Sequence, residues 1–220
     1  MSSHRLFLLN FNDKLEINLD CHRAYLAATY RQLAIGSKNL LKIYDLSSIL
    51  IRKTFISNDY QVITIPNEIL ALTSSIDRFV YVYCSEENND QLKICSKEND
   101  DEKQQTLVIP SFDRTKQVQL GVFDDGSIYL AYETKVFCLN TGNHWSFDVN
   151  IKKLCCGKEH GVILLEDGRV FSWGNGLHGA LGHGDLEPCS EPKSIEQLES
   201  DVNDIAAGGW HSLGKSHWEI

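Results

Sequence analysis

The sequence predicts an all-β fold built from small antiparallel sheets. Short apolar runs with the composition of strands follow one another along the chain, and no long segment has the 3.6-residue period of a helix. Asp167-Gly168 separates the apolar runs 162–165 and 170–173, which is the strongest short-range signal for a β-hairpin. Residues 202–213 repeat residues 151–162 at a constant offset of 51 residues. A period of about 50 residues is typical of propeller blades, so the sequence predicts a β-propeller.

The first 150 residues are predicted to form divergent propeller-like blades. The predicted strands are 5–10, 15–19, 24–30, 32–35, 40–44, 49–56, 61–65, 69–72 and 78–84. Strands this closely spaced favour a sandwich or a propeller over an α/β fold.

Residues 86–103 are strongly acidic. They hold seven acidic and three basic side chains around a short apolar core at 92–95. We expect a solvated acidic loop between strands, and the functional alternative is a docking patch for a basic partner.

A degenerate blade is expected immediately upstream of residue 151. Residues 118–129 have the same pattern as residues 161–171, with an apolar strand, an Asp-Gly turn and a second apolar strand, and the two Asp-Gly pairs lie 42 residues apart. The predicted organisation is therefore divergent blades in 1–150, well-kept repeats in 151–213 and a non-repeat tail in 214–220.

The net charge of the chain limits the classes of partner that it can bind. Of its 220 residues, 30 are acidic and 21 basic, which gives a net charge of −9. This balance argues against binding DNA directly, because that binding depends on neutralising phosphates with Lys and Arg. Binding a basic protein partner such as a histone tail is electrostatically more favourable than binding DNA. The sequence shows neither a secretory signal nor an apolar run of about 18 residues, and its seven cysteines are expected to be reduced and buried.

Three motifs that could support chemistry have better explanations in the fold. Gly174-Asn-Gly176-Leu-His-Gly179 has the spacing of a dinucleotide fingerprint, but the residues that follow cannot sustain the helix that this site requires. Cys155 and Cys156 suggest zinc, but adjacent strand residues point to opposite faces, and the equivalent slots of the next repeat hold alanines. We find no nucleophile elbow for a hydrolase. The sequence therefore predicts no cofactor, no metal and no catalytic residue.

Most of the repeat residues are expected to serve the fold. His160 and His211 occupy equivalent positions, and each is predicted to tie the backbone of a neighbouring blade through a ring nitrogen. Trp173 lies within a strand and is expected to be buried. The predicted structural positions are Gly157, His160, Asp167, Gly168, Trp173, Gly174, Gly179, Leu181, Gly182, Gly208, Gly209 and His211.

Residues at the turns are the candidates for contact with a partner. Binding residues of rigid β scaffolds concentrate in such loops. The predicted contact residues are Asn175, Leu177, His178, His183, Asp185 and Trp210.

These motifs together resemble a known repeat. They resemble the regulator of chromosome condensation (RCC) repeat family. The motifs that carry the resemblance are Gly157-x-x-His160, an apolar strand, Asp167-Gly168, Val-Phe-Ser-Trp-Gly at 170–174 and Leu-Gly-His-Gly at 181–184. The run 157–213 is most similar to the small RCC repeat domain-containing members. The resemblance implies an RCC-type propeller of small sheets arranged in an arc or ring, which in this family closes with about seven blades.

The chain is too short for such a ring. At about 50 residues per blade it holds about four to five blades. After Leu213 the repeat pattern also stops. We therefore expect an incomplete propeller, as in a truncated or alternatively terminated product or in a gene model that reads past an exon boundary. The alternative is a shortened ring that closes with four or five blades.

The resemblance implies two hypotheses about function. The first is a non-enzymatic, nuclear, chromatin-associated adaptor that binds a JmjC-type histone demethylase or histones and acts in chromosome segregation, with some cytoplasmic presence open. The alternative is a guanine-nucleotide exchange factor for a Ran-like small GTPase. A nucleotide-release assay separates the two hypotheses.

Overall fold

The computed structural model describes residues 4–9, 14–19, 24–29, 32–45, 60–88, 90–98, 101–198 and 202–216. They belong to two compact units, Met1–Phe112 and Asp113–Ile220. In the described part of the chain, no helix has the length and apolar character needed to cross a membrane.

The first unit contains one two-stranded sheet and two four-stranded sheets. Strands β1 (His4–Leu9) and β2 (Lys14–Leu19) pair antiparallel. Blade 1 is the meander β3 (Tyr25–Ala28), β4 (Gln32–Ser37), β5 (Leu40–Asp45) and β6 (Tyr60–Thr64). Blade 2 is the meander β7 (Ile69–Ser74), β8 (Arg78–Cys84), β9 (Gln91–Glu98) and β10 (Asp101–Val108).

The second unit repeats this architecture. Blade 3 is β11 (Val118–Val122), β12 (Ile128–Tyr132), β13 (Lys135–Cys138) and β14 (His144–Ser146). Blade 4 is β15 (Ile151–Cys156), β16 (His160–Leu165), β17 (Val170–Gly174) and β18 (Cys189–Ser194), with a single 3₁₀ turn at Leu177–Gly179. Strands β19 (Val202–Ala207) and β20 (Ser212–Ser216) form a two-stranded sheet, the β19–β20 pair.

The hydrophobic cores lie between consecutive sheets. In the first unit, Leu41 and Ile43 of blade 1 pack with Phe79 and Tyr81 of blade 2. In the second unit, one core joins blades 3 and 4, and another joins blade 4 to the β19–β20 pair. A fully buried large apolar side chain contributes about 1.5–3 kcal/mol, so the contacts between blades stabilise each unit.

Trp173 is the centre of the core between blades 3 and 4. It is 1% exposed, and its ring meets Tyr129 edge-on with centroids 5.1 Å apart. Phe123 and Trp145 pack around it at 6.4 Å and 6.2 Å. Burial raises the pKa of the Tyr129 hydroxyl to about 12. This aromatic cluster holds the two blades face to face.

A β-bulge occurs at the same place in three sheets. The register of the first strand against the second shifts between Ile69 and Ala71 in blade 2 and between Ile151 and Lys153 in blade 4. It shifts again between Val202 and Asp204 in the β19–β20 pair. The extra residue turns two side chains three positions apart to the same face. This is why Ile151 and Leu154 belong to one core, and Val202 and Ile205 to another.

The prediction of an all-β chain of small antiparallel sheets is confirmed. The structure has four four-stranded blades and two two-stranded sheets among the described residues, in agreement with about four to five blades. The predicted strand 49–56 lies outside the described residues. The division between the two units falls at 112/113. The predicted boundary at 150 instead separates the divergent blades from the well-kept repeats, and it stays a prediction.

The acidic segment 86–103 was wrongly predicted to be a loop. Gln91–Glu98 is strand β9, and Asp101 begins strand β10, which pairs with β9 from Asp101↔Glu98 to Val108↔Gln91. Two polar side chains of β10 have hydrogen-bond partners on β8. Tyr81 donates its hydroxyl hydrogen to Glu102 Oε1 at 2.6 Å, and Gln104 Nε2 donates to Tyr83 Oη at 2.7 Å. An exposed edge strand needs no apolar alternation, so its composition resembles that of a loop.

The predicted register of the upstream blade was also wrong. Asp125-Gly126 lies between β11 and β12, the first and second strands of blade 3, whereas Asp167-Gly168 lies between the second and third strands of blade 4. Blade 3 does lie directly upstream of residue 151, but β11 is equivalent to β15 rather than to β16. Because a turn signal marks a hairpin and not its number within the blade, the sequence could not distinguish the two.

Candidate protein-contact surface

Backbone hydrogen bonds hold the turns of successive sheets together. Asp124 of blade 3 donates its N–H to Lys158 O at 2.8 Å, and Lys158 donates its own N–H to Gly209 O at 3.3 Å. Asn175 donates its N–H to Glu159 O at 2.8 Å. The first turn of blade 4 is therefore fixed on both sides and also to the loop that follows β17.

Glycine is required where these turns meet. A Cβ at Gly157 would collide with the His160 ring and with the carbonyl oxygen of Gly208. Gly174 has φ +110°, and a Cβ there would collide with Glu159 O. At both positions the chain passes too close to a neighbouring backbone for any side chain.

Trp210 is the most prominent side chain at these turns. It is 46% exposed, the Lys158 ammonium lies 4.8 Å from its ring centroid, and the His178 ring meets it edge-on at 5.3 Å. Leu177 beside them is 54% exposed. We call Lys158, Leu177, His178 and Trp210 the contact surface.

The neighbouring Asn175 supports this surface. Its side-chain Nδ2 donates to Glu159 Oε2 at 2.6 Å, and its Oδ1 accepts the N–H of Leu177 at 3.0 Å. These bonds fix the loop that carries Leu177 and His178, so both side chains are presented on a rigid backbone.

Two predicted contact residues have other surroundings. The His183 ring Nε2 lies 3.1 Å from Ser172 Oγ, and burial, followed by the nearby Lys193, lowers its pKa. Asp185 Oδ1 accepts the N–H of Glu187 at 3.1 Å in an exposed loop. The contacts of His183 and Asp185 are thus to blade 4 itself rather than to Trp210.

His160 links blade 4 to the β19–β20 pair. It is 1% exposed, and its Nε2 lies 3.0 Å from Ser212 Oγ, which in turn donates to Ala180 O at 2.8 Å. Burial lowers the pKa of His160, so the ring is neutral at neutral pH. The ring reaches the β19–β20 pair through the Ser212 hydroxyl, which sequence reasoning missed, and it also bonds the backbone of His211, the kind of partner that the sequence predicts.

His211, the repeat equivalent of His160, is exposed. Its ring lies against Gly208, where a Cβ would collide with it. Its expected tie to a further blade stays a prediction.

The adjacent cysteines face different cores, as the sequence predicts. Cys155 packs against the core shared with the β19–β20 pair, and its thiol lies 3.5 Å from Ile205 O. Cys156 packs against the core shared with blade 3, where a Cβ on Gly121 would collide with its sulfur. Burial raises the pKa of both thiols. Within the described residues, no group of three or more His, Cys, Asp or Glu is arranged to hold a metal ion.

The remaining predicted structural residues lie in turns or in the core. Asp167 accepts the N–H of Arg169 at 3.2 Å in the turn that Gly168 completes, and Leu181 is 2% exposed. Gly179 and Gly182 lie in the loop after β17, at and beyond the 3₁₀ turn, and Gly209 lies under the Lys158 side chain. The glycine-rich segment 174–179 contains a 3₁₀ turn and no α-helix, so it lacks the dipole of a dinucleotide site.

Comparison with solved structures identifies the class of fold. The chain is similar to yeast RCC1 (Prp20) in its crystal structure with Kap60, with a TM-score of 0.51 and 15% identity over 93% of this chain and 57% of that chain. It is similar to the CRINKLY WD40 ectodomain of the Arabidopsis thaliana receptor kinase ACR4, with a TM-score of 0.50 and 16% identity over 89% and 67%. At this level of identity the likeness concerns the fold alone. The chain is a repeat protein built from β-propeller blades.

The repeats themselves define the family. Two family models described as regulator of chromosome condensation (RCC1) repeat match residues 151–180 and 167–214. Residues 151–214 of this chain therefore match the RCC1 repeat.

Curated relatives share the same segment. RCC1 domain-containing protein 1 of Homo sapiens is 48% identical over 67 residues, which are 30% of this chain and 18% of the relative. E3 ubiquitin-protein ligase HERC2 of Homo sapiens is 46% identical over 67 residues, which are 29% of this chain and 1% of the relative. The chain therefore spans less than a fifth of the length of these relatives.

Proposed function

We propose that this chain is a non-enzymatic adaptor that binds a protein partner through the contact surface. The observation that supports the proposal is the half-exposed Trp210, flanked by Lys158 and His178 on turns that backbone hydrogen bonds hold in place. Aromatic side chains on a rigid support are typical of the residues that dominate protein interfaces. The ligase activity in the name of one relative is not transferred, since the chain spans 1% of that protein.

The proposed setting is chromatin in the nucleus. The family name, regulator of chromosome condensation, and the resemblance of 157–213 to small RCC repeat proteins support it. The net charge of −9 favours basic partners such as histones. Within this setting we propose a JmjC-type histone demethylase as the partner and chromosome segregation as the process.

Affinity capture from nuclear extract tests the proposal. The full chain is compared with Trp210→Ala and with Val108→Ala, which truncates a similarly exposed apolar side chain on β10. Trp210→Ala is expected to reduce capture of the demethylase about tenfold or more, because interface aromatics are hot spots. Val108→Ala is expected to capture as much as the parent chain. Equal capture by all three chains would contradict the proposal.

A nucleotide-release assay tests the exchange-factor alternative. The purified chain is added to a Ran-like GTPase loaded with labelled nucleotide, and release is followed by fluorescence. We expect the rate to stay unchanged. Accelerated release would favour exchange over the adaptor.

A further inference from the structure

The loop after β17, residues 175–188, carries a residue in a strained backbone conformation. His178 has φ +65° and ψ +11°, in the left-handed region that glycine adopts readily and other residues rarely. Its exposed ring meets the Trp210 ring edge-on, with centroids 5.3 Å apart. A non-glycine residue keeps such a conformation only where its surroundings impose it, and such residues concentrate at functional sites. The contacts that hold this loop are therefore part of what forms the contact surface.

The side of the loop before His178 is held by blade 4 itself. Asn175 donates its N–H to Glu159 O at 2.8 Å and its side-chain Nδ2 to Glu159 Oε2 at 2.6 Å. Leu177 donates its N–H to Asn175 Oδ1 at 3.0 Å. These three bonds fix the loop to its own blade, but they do not reach the β19–β20 pair.

Two serine hydroxyls hold the side of the loop after His178. Ser172 of β17 donates to Leu181 O at 2.7 Å, and Ser212 of β20 donates to Ala180 O at 2.8 Å. Ala180 and Leu181 are 5% and 2% exposed, and buried carbonyl groups need partners. Adjacent carbonyls of the loop are thus bonded by hydroxyls from two different sheets. Ser172 ties the loop to blade 4, and Ser212 ties it to the β19–β20 pair.

The Ser212 hydroxyl has a second buried neighbour. The Nε2 of His160, a residue that is 1% exposed, lies 3.0 Å from Ser212 Oγ. Removing this hydroxyl would take a partner from a buried ring nitrogen and from the Ala180 carbonyl at the same time. Because an unsatisfied buried polar group costs more than the net contribution of a hydrogen bond, the loop is expected to move in order to restore the lost bonds.

The bond from Ser212 lies next to the contact between the two exposed rings. Trp210 is two residues before Ser212, and His178 is two residues before Ala180. Since two residues span at most about 7 Å of extended chain, the bond between Ser212 and Ala180 limits how far the rings can separate. The 2.8 Å hydrogen bond and the 5.3 Å ring contact therefore join the same two segments.

We propose that Ser212 is a positioning residue of the contact surface, whose hydroxyl holds the strained loop so that His178 lies against Trp210. The contact surface is then a joint product of blade 4 and the β19–β20 pair, and it forms only while the two are docked. The inference rests on the proposed role in protein binding. It identifies a serine outside the contact surface that sets the shape of that surface.

Nuclear magnetic resonance of the histidine rings tests the proposal without any partner. The Hε1 signal of His178, assigned with His178→Gln, is shifted by the ring current of Trp210, and Trp210→Ala gives its position without the contact. Ser212→Ala is expected to move the signal about halfway or more to that position. Ser212→Thr keeps a hydroxyl and is expected to leave the signal near its parent position. Ser216→Ala is the matched control, because it removes a hydroxyl about 13 Å further along the same strand.

Hydrogen exchange measures the loop itself. Gly179 donates its N–H to Gly176 O, and Gly182 donates its N–H to Gly179 O, both at 3.1 Å. In Ser212→Ala both amides are expected to exchange about fivefold faster or more, because one anchor of the loop is lost. The amides of β16 and β17 and the circular dichroism spectrum are expected to stay as in the parent chain, which separates loosening of the loop from loss of the fold.

Capture of the demethylase from nuclear extract relates the loop to binding. Ser212→Ala is expected to reduce capture about threefold or more, and Ser212→Thr is expected to restore it. An unmoved His178 signal in Ser212→Ala would overturn the proposal. So would an equal displacement in Ser216→Ala, or a displacement that Ser212→Thr does not restore.

The two proposals fail in different ways. If Ser212→Ala displaces the His178 signal while Trp210→Ala captures as much demethylase as the parent chain, the positioning role stands and the adaptor proposal is wrong. If Trp210→Ala reduces capture while Ser212→Ala changes neither the signal nor the capture, the adaptor proposal stands and the positioning role is wrong.

Discussion

Single residues set how closely the sheets of this protein approach each other. The absence of a side chain at Gly157 lets the His160 ring and the Gly208 carbonyl come together, and the same absence at Gly161 makes room for Trp173. The small and large residues of the repeat are therefore complementary parts of the same interfaces.

Gly174 and Gly179 form a matched pair for testing this at the residue scale. Both have positive φ, +110° and +72°, but a Cβ at Gly174 would meet Glu159 O, whereas nothing lies within 4 Å of one at Gly179. Gly179→Ala is expected to cost about 1–2 kcal/mol, the backbone strain alone. Gly174→Ala is expected to cost about 3 kcal/mol or more, because strain and collision add. Urea unfolding measures both, and equal losses would contradict the close approach.

The sequence predicts side-chain direction better than it predicts side-chain partners. Alternation along a strand is enough to place Cys155 and Cys156 in different cores. The contact of His160 with Ser212 depends on how two sheets are stacked, and no local pattern encodes that. Likewise, Trp210 could be placed in a turn, but its contacts with Lys158 and His178 depend on a loop from another strand.

At the scale of elements, strands buried on both faces were predictable and exposed edge strands were not. Strands β8 and β16 are continuous apolar runs after a polar first residue, and they were predicted to within two residues. Strand β10 is exposed along nearly its whole length and has the composition of a loop. Strand β18 contains a proline and two charged residues. Backbone pairing with an already formed sheet defines such strands, and side-chain patterns do not.

Val162 and Leu213 test how much burial between two sheets stabilises one repeat position. They occupy the same repeat position, but Val162 is buried in the core between blade 4 and the β19–β20 pair, whereas Leu213 is 62% exposed. Val162→Ala is expected to lower the free energy of unfolding by about 2 kcal/mol, through lost burial and a cavity. Leu213→Ala is expected to change it by no more than about 0.5 kcal/mol. Chemical denaturation of the two variants gives the comparison, and a large loss for Leu213→Ala would mean that this side chain is covered in solution.

At the scale of the whole molecule, the chain consists of two compact units, each with cores between its own sheets. The period of 51 residues was enough to predict stacked blades, because an offset shared by Gly157 and His160 with Gly208 and His211 is hard to produce otherwise. The unit boundary was not predictable. Blades 1 and 2 keep the architecture of the repeat without its sequence motifs, so composition alone cannot show where one unit ends.

The second unit is expected to fold on its own. The cores around Trp173 and around Val162 involve only residues 123–205. A fragment of residues 113–220 is therefore expected to give a β-type circular dichroism spectrum and a cooperative thermal transition. A fragment of residues 151–220 is the control, because it removes Phe123, Tyr129 and Trp145 from around Trp173. Its transition is expected to be lost or strongly broadened, and identical melting of the two fragments would contradict this account.

The bulge at Lys152 gives an exposed residue influence over a core that its side chain does not enter. Ile151 reaches the same face as Leu154 only because one additional residue separates them in the ladder. Deleting Lys152 would rotate Ile151 out of the interior toward the opposite side of the sheet. Alanine scanning would score this lysine as silent, whereas a scan by single-residue deletion would find it among the least dispensable positions of the strand.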